Sequence, residues 1–221
     1  MENCGMEFLP ELSRGEFTHK VLLSALQATG EAQTKLFELA QTRRLENFPE
    51  NQAQVRSVIE VSNVCRQKCK YCIIGANDQK YNYTLDSKSM VLLMRYLYDK
   101  GRRTVLLQSG ENLQKKFIDD VVLAIKEVKS EYADLRIILC MGDLSADDYQ
   151  RLFDAGATDY VLKFETSNDR LFSYCKPNDS LDHRLQCVRT LAEIGYRVGS
   201  GNIIGLPGQT LDDIVADLML V

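Results

Sequence analysis

Histidine is nearly absent from this sequence: His19 and His183 are the only two in 221 residues. Both lie far along the chain from its cysteine cluster, which removes the common route by which histidine closes a mixed zinc site. No uninterrupted apolar run approaches the roughly 20 residues that a membrane-spanning helix needs. The opening stretch MENCGMEFLPEL intersperses Glu2, Glu7 and Glu11 among its apolar residues, so it does not read as a secretory signal, and a cytoplasmic protein is expected. One-sided charge is missing too. The 27 basic and 31 acidic side chains leave −4, which argues against nucleic acid or an anionic membrane as a partner held mainly by electrostatics. GLPGQT, at 205–210, lacks the Lys-Ser/Thr ending of a phosphate loop. What is present is an ordinary globular composition, 45% hydrophobic and 26% charged, enough for one substantial core.

Ser13 and Glu16 have the spacing of a capping box, and Phe17, Val21, Leu22, Ala25 and Leu26 recur with helical period after them. Ala32, Leu36, Phe37, Leu39 and Ala40 give a second helix its apolar face, and the polar stretch from Asn47 to Gln54 reads as a linker. Residues 1–50 are therefore expected to form a helical lead-in and 51–221 the main domain. There SVIEVSN, TVLLQ, LRIILCM, DYVLKF and YRVGSGNII read as strands, and the segments near 86–100, 116–131, 145–155, 181–194 and 210–220 as helices. Five βα repeats imply an α/β protein with a parallel sheet, either doubly wound or a barrel. In both forms functional groups gather where strands end and loops begin. The unusual residues fall there: SNVCRQKCKYC after the first strand, Ser109-Gly110-Glu111 after the second, Cys140-Met141-Gly142-Asp143 after the third. Glu165-Thr166-Ser167-Asn168 follows the fourth and Gly205-Leu206-Pro207-Gly208 the fifth.

Seven cysteines, an odd count, are poor material for disulfides in a reducing compartment, so a tight cluster reads as metal-binding or redox-active. Cys4, Cys140, Cys175 and Cys187 stand apart and read as buried thiols. Cys65, Cys69 and Cys72 lie close enough for one tight turn to aim three thiolates at a common centre. A structural zinc would want a fourth Cys or His, whereas a cubane iron–sulfur cluster held by three thiolates keeps one iron open to a small molecule. Coincidental burial is the third reading, though Arg66, Lys68 and Lys70 make this loop an unnatural place for it. Those cations suit a cluster of net negative charge.

This spacing, with the aromatic Tyr71 before its last cysteine, resembles the hallmark of the radical S-adenosylmethionine (SAM) enzymes. The resemblance implies that Cys65, Cys69 and Cys72 hold a 4Fe-4S cluster whose open iron is chelated by the amino and carboxylate groups of SAM. Reductive cleavage would give methionine and a 5′-deoxyadenosyl radical, which takes a hydrogen atom from the substrate or adds to it. Ser109, Gly110 and Glu111 resemble the family's amine-binding turn, with backbone carbonyls or the Glu111 carboxylate accepting from the ammonium. Glu165 would contact the ribose hydroxyls or orient the cofactor, pairing with Lys163 or a neighbouring arginine being the plainer alternative. Arg184 can hold a carboxylate bidentately, or be an ordinary solvated helix residue. Gly201 and Gly205 resemble the family's adenine contact, though tight barrel packing explains the same glycines. No residue is assigned to the chemical step.

From about Phe8 onward, RGEFTHKVL, IEVSNVCRQKCKYC, VLLQSGEN, FETSNDRLF and VGSGNIIGLPGQTLDDIVADL resemble in order and spacing the biotin-synthase-like branch, and within it the iron-only hydrogenase maturases. The fold implied is a (β/α) TIM-barrel type, of which about the first five βα units are present behind N-terminal helices. The resemblance implies radical attack on a sulfur-containing intermediate during assembly of the hydrogenase diiron centre. It further implies a small-molecule or organometallic substrate, a flavodoxin- or ferredoxin-type reductant and other maturation proteins as partners. Two departures bear on the substrate: Lys163-Phe164 stands where the maturases carry Arg-His, and Cys140 where a small hydroxyl residue is expected, so a further thiol faces the cavity or packs in the core. A methylornithine-synthase-like or other biotin-synthase-like enzyme is the nearest alternative. A truncated, non-catalytic cluster-binding protein and a zinc-stabilised module are the others.

Overall fold

A computed structural model describes residues 6–50, 52–76 and 79–221, so Cys4 and the first part of the opening stretch lie outside the described residues. The chain falls into two compact units: Val55–Glu165 with Asp169–Ile203, and Met1–Gln54 with Thr166–Asn168 and Ile204–Val221.

The first unit is built on five strands, β1 (Ser57–Ser62), β2 (Thr104–Ser109), β3 (Arg136–Cys140), β4 (Asp159–Val161) and β5 (Arg197–Gly199). All pairings are parallel and the spatial order is β1-β2-β3-β4-β5. A doubly wound sheet reverses its order part-way; a strand order that follows the sequence without reversal is the barrel arrangement. β2 and β3 read as unbroken apolar runs because helices cover them: Val105, Leu107, Ile137 and Leu139 have no exposed surface. Each such Leu or Ile contributes about 1.5–3 kcal/mol by burial.

The covering helices are α5 (Ser87–Asp99), α6 (Lys115–Glu131), α7 (Ala146–Asp154) and α9 (Leu181–Ile194), with α8 (Asp169–Cys175) preceding α9 and α4 (Ile73–Ala76) and a 3-10 turn (Gln79–Tyr81) following the cysteine loop. Asp86, Ser145 and Ser180 cap α5, α7 and α9 by accepting from the backbone N–H of Ser89, Asp148 and His183. A polar residue thus starts each helix where the apolar period begins. α6 gives the largest face, from Phe117 through Val128. β4 and β5 are shorter than DYVLKF and YRVGSGNII suggest. β4 cannot run on through Glu165, whose φ of 67° breaks the extended backbone.

The second unit holds α1 (Phe8–Ser13), α2 (His19–Leu26), α3 (Gly30–Asn47) and α10 (Leu211–Leu220). The capping box expected at Ser13 and Glu16 is not formed. Ser13 closes α1 instead, because Gly15 takes φ of 79° and the N–H groups of Glu16 and Gly15 bond back to the carbonyls of Glu11 and Leu12. α2 then starts at Thr18, whose hydroxyl accepts from Val21 N at 3.4 Å. The apolar face expected on the second helix is not buried: α3 has no buried residue, and Phe37 is exposed. α10 opens on a capping box of Thr210 and Asp213, and His19 Nε2 lies 3.0 Å from Asp212 Oδ1. Its Asp217 accepts from Ser167 Oγ at 2.7 Å and its Asp213 from Asn168 Nδ2 at 2.7 Å, so α10 fixes the segment that directly follows Glu165.

Candidate cluster and cofactor site

The cysteine loop leaves β1 at Ser62 and is fastened to the end of β2. Gly110 N donates to Ser62 O at 3.0 Å, Glu111 N to Cys65 Sγ at 3.3 Å, and Arg66 N to Glu111 O at 3.1 Å. Gly110 has no space for a side chain: a Cβ there would strike the Val64 carbonyl oxygen and stand 2.7 Å from Cys65 Cβ. The glycine of the Ser-Gly-Glu turn is therefore required by the cysteine loop itself. Farther along, Lys70 N donates to Cys175 O at 2.9 Å and Cys72 N to Cys69 O at 3.1 Å.

Cys65, Cys69 and Cys72 line one cavity at the C-terminal ends of the strands, with Tyr71, Ser109, Gly110, Glu111, Glu165 and Arg184. Gly201 and Gly205 stand outside that lining. Gly201 accepts through its carbonyl from Glu165 N at 3.1 Å, and Gly205 is an exposed turn residue of the other unit. Cys140 is half-buried and also lines the cavity, while Cys175 and Cys187 are buried thiols as expected. Burial pushes the Cys69 thiol up, against the pull of the Lys176 ammonium, and Cys140 likewise against Lys163. Glu165 makes no ion pair with Lys163 among the described residues. Its Oε2 is buried without a hydrogen-bond partner, and burial together with this carboxylate raises the Tyr71 phenol far above its ordinary value. Unmet polar capacity and a left-handed backbone coincide at Glu165, the signature of a residue held for a ligand rather than for packing.

Behind the turn lies a knot of charges that the sequence did not reveal. Glu111 accepts from Gln67 Nε2 at 2.9 Å and from Arg66 Nε with one oxygen, and from Asp143 N at 3.1 Å with the other. Its carboxylate is thus saturated by the protein. The backbone carbonyls of the turn are engaged as well: Gly110 O accepts from Ser109 Oγ at 2.6 Å and Asn112 N at 2.9 Å, and Glu111 O from Arg66 N. Gly142 carries φ of 77°, and a Cβ there would meet Glu111 Oε2 at 2.7 Å. Arg184 is buried rather than solvated: its Nη1 lies 3.1 Å from Asp143 Oδ1 and its Nη2 3.1 Å from Asp179 Oδ2, while its buried Nε has no partner. Lys176, also buried, pairs with Asp179 at 3.1 Å. Burial raises the Asp143 carboxyl to about 6 despite Arg184; burial pushes Asp179 the same way, but Asp143, Lys176 and Arg184 outweigh it and hold Asp179 below its usual value. Gln67, Asp143, Lys176 and Asp179 carry no motif of their own, and their partners are scattered in sequence.

The residues present fit an iron–sulfur cluster better than a single ion. Among the described residues the one trio of ligand atoms all within 4.8 Å is Asp143, His183 and Cys187, so the loop thiols are spread more widely than a lone zinc draws its ligands. A cubane binds each thiolate to a different iron and accommodates that spread.

A parallel barrel-order sheet with this loop at its C-terminal edge defines a class, and the family comparison agrees: residues 59–221 match the Radical SAM superfamily, to which the chain belongs. Members of this superfamily are enzymes that use a 4Fe-4S cluster and SAM. The chain is 35% identical over 221 residues to the FeFe-hydrogenase maturase subunit HydE of Thermotoga maritima, covering 98% of this chain and 62% of that protein. It is 31% identical over 157 residues to the biotin synthase of Clostridium botulinum, covering 69% of this chain and 48% of the relative. Methylornithine synthase (PylB) shares the fold, with a TM-score of 0.83 at 22% identity over 96% of this chain and 63% of that one. The chain thus spans between about half and under two-thirds of these relatives. No helix among the described residues is long and apolar enough to cross a membrane.

Proposed function

We propose that this chain is the cofactor-binding part of a radical SAM enzyme acting in maturation of the FeFe-hydrogenase active centre. The observation that carries the reading is one cavity in which three loop thiols meet a strained, buried carboxylate with an unpaired oxygen. Cys65, Cys69 and Cys72 hold the cluster through three irons. When bound, the reduced cluster and SAM supply a 5′-deoxyadenosyl radical for hydrogen abstraction or addition. The chain's own residues bind and orient. The Ser109-Gly110-Glu111 turn would face the SAM ammonium, Glu165 Oε2 would accept from a ribose hydroxyl, and the unpaired Arg184 Nε would donate to the SAM carboxylate. Tyr71 lines the cavity and stays protonated, since burial and Glu165 both oppose its ionisation.

The maturase assignment is supported by 35% identity to HydE over nearly the whole chain. A small-molecule substrate and a flavodoxin- or ferredoxin-type reductant accompany it. Lys163, whose charge acts on the cavity thiol Cys140, offers a point charge there rather than a planar fork.

The test is electron paramagnetic resonance of the anaerobically reconstituted, dithionite-reduced chain with and without SAM, followed by a search for methionine and 5′-deoxyadenosine. A four-iron signal that SAM alters, with both fragments formed, is expected. A signal that SAM leaves unchanged would reduce the chain to a cluster-binding protein, and zinc in place of iron and sulfide would overturn the reading.

A further inference from the structure

We infer that Asp143, His183 and Cys187 form a second metal site, separate from the cysteine loop, that takes a zinc ion. His183 and Cys187 are four residues apart on α9 and so share one face of it, and Asp143 meets them from the turn after β3. Cys187 Sγ lies 3.7 Å from His183 Nε2, Asp143 Oδ2 lies 4.0 Å from the same nitrogen, and all three ligand atoms fall within 4.8 Å of one another. Ligand atoms around a tetrahedral zinc with bonds of about 2.0–2.3 Å stand roughly 3.3–3.7 Å apart, so a small contraction closes the trio.

An independent observation points the same way. Asp143 is 2% exposed, and its Oδ1 is ion-paired with Arg184 Nη1 at 3.1 Å without the geometry of a hydrogen bond. Neither oxygen meets a donor in hydrogen-bond geometry among the described residues; the Asp179 carboxyl is the other group against this carboxylate, and Oδ2 is the oxygen nearer His183. A buried carboxylate oxygen left without a partner is costly. The ion pair with Arg184 neutralises the carboxylate through Oδ1 and supplies no partner for Oδ2. A zinc ion between Oδ2, Nε2 and Sγ uses it.

The donor set selects the ion. One imidazole, one thiolate and one carboxylate suit a borderline divalent metal and not magnesium or calcium, which want oxygen alone. The His183 side chain is half exposed, which gives the ion a path from solvent, and three protein ligands leave a fourth position for water or an exogenous ligand. The site uses none of the loop cysteines and stands whether or not the proposed function holds.

The probe is zinc added to the anaerobically reconstituted full chain, with bound zinc per chain measured after gel filtration and the zinc environment read by X-ray absorption. One zinc per chain with a single sulfur neighbour beside nitrogen and oxygen neighbours is expected. His183→Ala and Cys187→Ser should each weaken zinc binding by at least about tenfold, and Cys187→Ser should remove the sulfur neighbour. Two or three sulfur neighbours would place the zinc on the cysteine loop and overturn the proposal. So would a chain that retains no zinc, or a His183→Ala variant that binds it as tightly as the parent. The His183 side chain is exposed enough that its removal leaves the fold intact, so a Cys187→Ser variant that fails to fold still leaves a decision. Because iron and sulfide do not contribute at the zinc edge, the sulfur count is informative even if no cluster assembles.

Discussion

Gly110 and Glu165 carry opposite kinds of constraint, and each yields a prediction. At Gly110 the limit is space: a methyl group would press on the Val64 carbonyl and on Cys65 Cβ, backbone and near-backbone atoms that cannot swing away. Gly110→Ala should cost about 1–3 kcal/mol of stability, as overpacking does. It should also lower iron bound per chain after reconstitution, because the displaced atoms belong to the cysteine loop. Urea unfolding with iron analysis checks both, and a stable variant with full iron would show that the loop yields easily. At Glu165 the limit is backbone strain, a φ of 67° in a residue with a side chain. Glu165→Gly should leave the fold as stable or more so, by about 1 kcal/mol, since glycine adopts that region freely. The same variant should keep the reduced cluster signal and lose its response to SAM. A variant that unfolds, or that still responds, would mean that Glu165 serves packing and not the cofactor.

The strands divide stability and function between their two ends. At the C-terminal ends lie the cysteine loop, Gly110 and Glu165; at the N-terminal ends Asp159 opens β4 and binds Arg136 of β3 and Arg197 of β5, with Arg197 Nη2 at 2.8 Å and Thr158 Oγ1 at 2.9 Å. Burial alone would raise the Asp159 carboxyl, but hydrogen bonds from Arg136, Arg197 and Thr158 outweigh it and bring it to about 2. A carboxyl held below its unfolded value stabilises the fold above that ordinary value, near pH 4, and the contribution is lost as pH falls toward 2. Asp159→Asn should therefore destabilise the fold at pH 7 by about 1–2 kcal/mol, since Arg197 is mostly solvated, seen as a lower thermal midpoint, and should flatten the fall in midpoint between pH 4 and 2. Parallel midpoint curves for both proteins would show that this triad carries no acid-sensitive stability. The gathering of Cys65, Cys69 and Cys72 at one cavity was legible in the sequence because they lie within one loop; the Asp159 triad was not, because its partners come from two other strands.

Across the whole molecule, legibility followed burial. The β2, β3 and α6 segments show their period in the sequence because one surface of each is removed from water, and the structure bears the expectation out. α3 shows an apolar spacing at Ala32, Leu36, Phe37, Leu39 and Ala40 that packing against α1 only half covers, and α1 and α8 were too short for periodicity to reveal. Arg184 was read as a carboxylate contact or a solvated helix residue, and its burial was not legible because its partners, Glu111, Asp143 and Asp179, are scattered in sequence. The same contrast in burial sets the distribution of stability. Strand amides in β2 and β3, flanked by Val105, Leu107, Ile137 and Leu139, can exchange with solvent only when the sheet unit opens as a whole. An 18-residue helix with no fully buried side chain, held to α1 by half-buried Leu36 and Leu39 and by Arg43 donating to the Ser13 carbonyl, has little tertiary packing beyond its own propensity, and isolated helices near that length are marginal. Hydrogen exchange at neutral pH should therefore find α3 opening with a free energy at least about 3 kcal/mol below that of β2 and β3, on the order of a hundredfold faster. Added SAM, on the cluster-loaded chain, should slow exchange around Gly110 and around Glu165–Ile203 and leave α3 unchanged, because α3 has no residue in the cavity lining. Equal exchange in α3 and β2 would mean that the helix is buried in solution by something that its sequence spacing was made to meet.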